Sequence, residues 1–262
     1  MSSDSLRIAT WNTASNRNHA AIASRIAELG LDVCLMQEVW LDCAVDLPAM
    51  LEPVSADLAD YCWYFVPALS PHELHSRKSE YFGLAILSRI AFRHIASFQL
   101  GPNHRDRQMS AENEPRIMQL AIPHRSQWDQ PFILGNTHLA ATEGWSLSAT
   151  RRSQASQIAD ILRSIATSGP MILGGDFNTG PFSSDLTELR GVLPYTYAGS
   201  YGTYIGEAGP PIDFFCSSVQ LALDISVFEP AGLSDHNIVV ATLPGGPTHA
   251  IQRPSSHVAR SA

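Results

Sequence analysis

The sequence predicts an α+β domain with its sheets packed in layers. Three observations carry that reading. Short apolar runs bounded by turn residues recur along the chain, only two stretches show convincing helical spacing, and no linker, repeat or charged block divides the 262 residues. A chain of this length holds enough apolar material for one large core. We therefore take residues 1–244 as a single domain. The segment 245–262, rich in Pro, Ser and Gly, reads as a disordered tail.

The elements follow in order. Residues 6–11 form a strand. Residues 20–29 form a helix with Ile22, Ile26 and Leu29 on one side and Gly30 as its stop. Residues 32–36 are a buried strand that ends on Gln37 and Glu38. Further strands are expected at 61–66, 83–87, 117–122, 132–136, 171–173, 212–216 and 238–243. The second helix spans 146–165, with Ile158, Ile161, Leu162 and Ile165 on one side. The polar stretches 67–81 and 101–115 read as long loops, which in compact domains tend to serve function.

Composition excludes several classes. Lys and Arg number 17 against 25 Asp and Glu, a net charge of −8, which argues against a broad basic surface for nucleic acid while leaving room for a local groove. No apolar run reaches transmembrane length, and the N-terminus shows no basic region followed by an apolar stretch. The four cysteines, Cys34, Cys43, Cys62 and Cys216, lack CxxC spacing. These features predict a cytoplasmic protein with free thiols, no membrane partner and no zinc site.

Apolar strands repeatedly close on residues that bind metals or phosphates: Asn12, Glu38, His138 and Asp176, with Asn178 two residues on. Asp213 opens another strand, and Ser234-Asp235-His236 leads into the last. Any one of these is an ordinary turn residue. Together they supply the groups of a hard-cation phosphoester site. Attack on a phosphodiester brings a nucleophile to an already negative centre. Glu38, Asn12 and Asp235 offer oxygen ligands for Mg²⁺ (or Mn²⁺), Asp176 can orient and deprotonate water, and Asn178, His138 and His236 can donate to phosphoryl oxygens. Asp213 beside His236 would fix the ring and favour imidazolium.

In their order and intervals, TWN at 10–12, QEV at 37–39, GLAILSR at 83–89, NTHL at 136–139, GDFN at 175–178, ID at 212–213 and SDH at 234–236 resemble the endonuclease/exonuclease/phosphatase superfamily. The resemblance covers residues 6–243. It implies an α/β (α+β) fold, a four-layer sandwich with two mixed β-sheets face to face and helices outside. It also implies a metal-dependent phosphoesterase. Asn12, Glu38 and Asp235 fall on the metal side, with Asp176, Asn178, Asp213 and His236 as catalytic residues. His138 takes the place of the catalytic His of deoxyribonuclease-like and sphingomyelinase-like members, where apurinic endonucleases carry Asn. Arg116 matches an Arg that reaches the phosphate, and Tyr81 is a looser match to a rim tyrosine. Arg151 and Gln154 fit an Arg-x-x-Gln helix that braces a loop.

The expected activity is hydrolysis of a phosphodiester in a nucleic acid, DNA or RNA, or in a small phosphorylated molecule. A phosphomonoesterase of a small metabolite is the alternative. The complete set of acid, base and metal residues argues against a non-catalytic phosphate-binding module. Trp145 could stack on an aromatic group or anchor its loop. Substrate choice is expected in loops 67–81, 101–115, 140–150 and 196–211.

Overall fold

The computed structural model describes residues 5–42, 61–69, 80–101, 110, 112, 114–123, 132–165 and 169–244. The expected tail at 245–262 lies outside them, as do most of the loops expected at 67–81 and 101–115. Residues 67–69 and 80–81 of the first loop belong to strands.

Two mixed six-stranded sheets face each other. One comprises β1 (Ser5–Asn12), β2 (Val33–Asp42), β3 (Cys62–Leu69), β4 (Glu80–Ser88), β11 (Asp224–Phe228) and β12 (Ile238–Pro244), in the order β11-β12-β1-β2-β4-β3. The other comprises β5 (Phe92–Leu100), β6 (Arg116–Pro123), β7 (Ile133–His138), β8 (Met171–Asp176), β9 (Tyr195–Tyr197) and β10 (Asp213–Ser217), in the order β5-β6-β7-β8-β10-β9. Among the described residues three α-helices accompany them: α1 (His19–Glu28), α2 (Ala149–Ile165) and the single turn α3 (Thr187–Arg190).

Each sheet has one parallel pair at its centre, β1 with β2 and β7 with β8. A parallel pair needs a crossover, and here α1 and α2 supply them. Asn18 caps α1 through the Ala21 N–H, and Gly30 leaves the helix at φ 60°, the left-handed turn that glycine accepts without strain.

Period-two alternation sorts the side chains into three apolar seams. Leu6, Ile8, Val33, Leu35 and Ile86 of the first sheet meet Ala121, Leu134, Ile172 and Phe215 of the second. Ala9, Trp11, Cys34 and Met36 turn outward onto Ile22, Ala23 and Ile26 of α1. Met118, Ile133, Leu173 and Phe214 turn the other way onto Ile158 and Leu162 of α2. The four layers are therefore helix, sheet, sheet, helix.

Three strands are additional to those the sequence predicts. β5 is an edge strand with both faces largely open, and FRHIASFQL alternates only over its last residues, where Phe98 and Leu100 turn to the core. β9 and β11 are also edge strands, and their residues are mostly half-buried. β2 runs through Glu38 instead of ending there, and its register against β4 shifts between Met36 and Val39. Glu38 thus sits in a β-bulge with φ 54°, because the extra residue re-aims its side chain without ending the strand.

The inward seam turns polar at one end. Gln37 Nε2 donates across the gap to Asn136 Oδ1 at 2.8 Å and to Thr10 Oγ1 at 3.1 Å. Asn136 Nδ2 donates to the carbonyls of Met36 (3.1 Å) and Ala85 (3.0 Å). All three side chains are fully buried. Asn136→Ala removes the bonds to two carbonyls and the cross-sheet bond from Gln37, and opens a void. It should cost about 2–4 kcal/mol and lower Tm by roughly 5–15 °C. A thermal melt within a degree of the parent would show that the amides do not hold the sheets together.

Candidate active site

Just beyond the buried amides, the carboxyl ends of the parallel strands deliver Asn12 from β1, His138 from β7 and Asp176 from β8. The antiparallel neighbours present their amino ends at the same edge. Asp213 begins β10 opposite Asp176, and His236 lies two residues before β12. Strand polarity thus gathers residues spread over more than 200 positions of sequence.

Asp176 is the hub. Its Oδ1 accepts from the Asn178 N–H at 2.8 Å and its Oδ2 from Asn12 Nδ2 at 3.0 Å. His138 Nε2 lies 3.5 Å and His236 Nε2 3.9 Å from the same Oδ2. His236 Nδ1 is 2.9 Å from Asp213 Oδ2. Burial first, and the neighbouring Asp213 second, push the Asp176 carboxyl up to about 7, against the pull of His236, Asn12 and the Asn178 N–H. Burial disfavours the His236 imidazolium, but the charge and hydrogen bond of Asp213, helped by Asp176 and Asp235, outweigh it and raise the group to about 10. His236 is therefore a cation at neutral pH.

His138 behaves in the opposite way. Arg116 Nη1 stands 2.8 Å from its Nδ1. A guanidinium only donates, so Nδ1 must accept and the ring proton sits on Nε2, the nitrogen nearest Asp176. Burial, then Arg116, then His236 hold His138 well below its usual value. The sequence grouped these two histidines as donors, and the structure gives them different charges.

Arg116 is buried, and Glu114 pairs with its Nη2 at 2.9 Å. The phosphate-contacting Arg expected from the motif is thus clamped between Glu114 and His138. Glu114 carries no motif signal beyond its place two residues before Arg116. Its carboxyl is raised by burial foremost, with Arg116 opposing and the charge of Glu38 adding. Glu38 takes Asn12 Nδ2 on Oε1 and Ser15 Oγ on Oε2, both at 3.1 Å. Asp235 is half-exposed, with Oδ1 3.9 Å from His236 Nε2. Tyr81 is half-buried on β4 opposite Leu41 and makes no hydrogen bond with another site residue among the described residues.

Asn178 has φ 53°, the second non-glycine site residue in the left-handed region after Glu38. Its Nδ2 donates to the Leu139 carbonyl at 2.9 Å. Arg151, fully buried, holds this loop. Its Nη1 donates to the carbonyls of Ala140 (3.0 Å) and Asn178 (2.8 Å), Nη2 to that of Ser146, and Nε to Asp185 at 3.0 Å. Gln154 accepts from the Ala140 N–H at 2.9 Å. The bracing role expected of both residues is what they perform. Tyr204, unmarked in the sequence, lays its ring edge against His236, with centroids 5.3 Å apart.

The donor set suits a hard divalent cation. The carboxylates of Asp176 and Asp213 lie within 4.8 Å of one another beside His236, which as an imidazolium offers a metal no lone pair, and Asp213 Oδ1 is buried without a hydrogen-bond partner. Glu38 adds a carboxylate next to Asn12. Among the described residues, no helix is long and apolar enough to cross a membrane.

A model of the endonuclease/exonuclease/phosphatase family matches residues 9–236. The chain belongs to that family of phosphoester-hydrolysing enzymes. A search of curated proteins found no match. Among solved structures, the catalytic domain of human Nocturnin with bound sulfate is 18% identical, with a TM-score of 0.67, covering 91% of this chain and 92% of its own. A mannosyl-6-phosphatase of Bacteroides thetaiotaomicron is 17% identical, with a TM-score of 0.63 over 90% and 98%. ANGEL2, a 2′,3′-cyclic phosphatase, is 13% identical, with a TM-score of 0.63 over 91% and 94%. At such identities the likeness speaks for the fold.

Asp213→Asn removes the charge that keeps His236 protonated. The His236 midpoint, followed by NMR, should fall from about 10 toward or below the ordinary value of about 6.5. A midpoint that stays near 10 would mean that the pairing does not set the charge.

Proposed function

We propose that this protein is a divalent-metal-dependent phosphodiesterase that hydrolyses its substrate by in-line attack of water. The observation that carries this reading is the pairing of a raised carboxyl with a charged imidazole. Asp176 has a value near neutrality, as a general base requires, and His236 is a cation 3.9 Å away.

Asp176 takes the proton of the attacking water and holds that water toward phosphorus. His236, fixed through Nδ1 by Asp213, donates from Nε2 to the phosphoryl oxygens as negative charge builds. His138 donates from its Nε2–H as a neutral group. Arg116 keeps it in that tautomer and adds positive charge behind it. Asn178 sets the loop that borders the scissile group, and Tyr81 belongs to the rim. Glu38, Asn12 and Asp235 would hold Mg²⁺ or Mn²⁺, which neutralises phosphoryl oxygens when bound.

His236→Ala and Asp176→Asn should each lower turnover about 10²–10⁴-fold. Glu38→Ala should raise the Mg²⁺ concentration needed for half-maximal rate. The assay compares a chromogenic phosphodiester with the matching monoester, in Mg²⁺ and in chelator. Undiminished turnover in folded His236→Ala or Asp176→Asn at saturating Mg²⁺, or an unchanged Mg²⁺ requirement in Glu38→Ala, would refute the role concerned, and preference for the monoester would make the protein a phosphatase.

The rate should be bell-shaped in pH. It should rise as Asp176 loses its proton near 7 and fall as His236 loses its own near 10. A bound divalent cation shifts the acidic limb downward. A rate flat from pH 5 to 11 would exclude this pair as base and cation.

A further inference from the structure

Exposed large apolar side chains scattered singly over a surface need no explanation. Here they are not scattered. Of the five in the described residues, four are Leu147, Phe182, Tyr201 and Ile205, and only Ile95 lies elsewhere, on the edge strand β5. The four sit on the loops that leave His138, follow Asp176 and precede Asp213.

Those loops are joined to one another and to the site. The Ser148 N–H donates to Asp185 Oδ2 at 2.9 Å, which ties the loop of Leu147 to that of Phe182. Trp145 meets the ring of Tyr204 at 5.7 Å, and Tyr204 meets His236 at 5.3 Å. A Cβ at Gly209 would lie 2.5 Å from Trp145 Nε1, so only glycine lets the two loops close this far. The Ile205 N–H donates to the Asp235 carbonyl at 2.7 Å. Phe182, 82% exposed, is held open by design of its neighbours: Arg190 Nη1 binds the carbonyls of Pro181 (3.2 Å) and Ser183 (2.6 Å) on either side of it.

Charge selects the occupant. Residues 139–148, 177–187 and 198–211 contain no Lys or Arg, and their acids include Glu143 and Glu207. A polyanionic strand needs cations along its path; these three segments supply none, and the described arginines beside them are turned onto protein acceptors, Arg190 onto the Pro181 and Ser183 carbonyls and Arg152 onto Asp185. An uncharged apolar group loses nothing to that acidity and gains from contact with Phe182 and Leu147.

We infer that these loops form a specificity subsite for an uncharged aromatic or aliphatic group carried by the phosphoester substrate, with Phe182 and Leu147 as its principal contacts. The inference rests on the phosphodiesterase reading and narrows its substrate to a small, singly charged ester with an apolar organic part.

Two phosphinates test it without any cleavable ester: methylphenylphosphinate and dimethylphosphinate, each singly charged, titrated calorimetrically into the full chain with Mg²⁺. The parent should bind the phenyl compound roughly tenfold tighter or more. Phe182→Ser and Leu147→Ser should each shrink that ratio severalfold, whereas Ile95→Ser should leave it intact. No phenyl preference, no binding of either compound, or a ratio indifferent to both loop variants overturns the inference. So does affinity for oligonucleotides that climbs with length and collapses in salt. A preserved ratio in a protein that hydrolyses no ester would sink the phosphodiesterase reading and leave the subsite standing.

Discussion

The contact between Gln37 and Asn136 fixes how the two sheets meet, and everything at the active edge depends on it. An apolar seam between sheets tolerates sliding, because hydrophobic burial is non-directional. Amides do not, since a small shift breaks bonds that water cannot replace in a sealed seam. With Gln37 on one sheet and Asn136 on the other, Asn12 is brought within 3.0 Å of Asp176. That contact places Asn12, and Glu38 beside it, at the edge of one sheet against Asp176 at the edge of the other.

The site's electrostatics follow from placing charges where water is excluded. Asp176 and Asp213 face each other across two strands, and burial makes two ionised carboxylates costly there. His236 between them offsets that cost as a cation. His138 cannot repeat the solution, because Arg116 already occupies its Nδ1. One imidazole is charged and the other neutral beside the same carboxylate oxygen. Glu38 and Asn178 add backbone strain of order 1–3 kcal/mol each, held by a bulge on one side and by Arg151 on the other.

Much of this was legible in the sequence because strand ends are legible. Asn12, His138, Asp176 and Asp213 each terminate or open an apolar run, and alternation assigns them to the inner face. Glu38 was legible as a residue but not in its place, since a bulge leaves no mark in propensity or pattern. β5 escaped because its faces are open, and β11 because its alternation runs only from Asp224 to Val227. The clamp on Arg116 was invisible for another reason. A motif records a residue type, while the partner that holds it, Glu114, is chosen by three-dimensional proximity. Gln37 and Asn136 lay within quoted motifs, yet no local rule distinguishes a cross-sheet amide from a solvated one.

Chain order gives the architecture a temporal consequence. Strands β5 to β10, residues 92–217, build the second sheet from one continuous stretch, while the first sheet waits for β11 and β12 from the end of the domain. β12 lies between β11 and β1, and His236 arrives just ahead of it. A ribosome that has not yet delivered residue 236 carries a nascent chain with Asp176 and Asp213 but no imidazole between them. Domains tend to form as synthesis proceeds, yet here the cluster of Asp176, Asp213 and His236 is completed last. No partly made chain holds the assembled site.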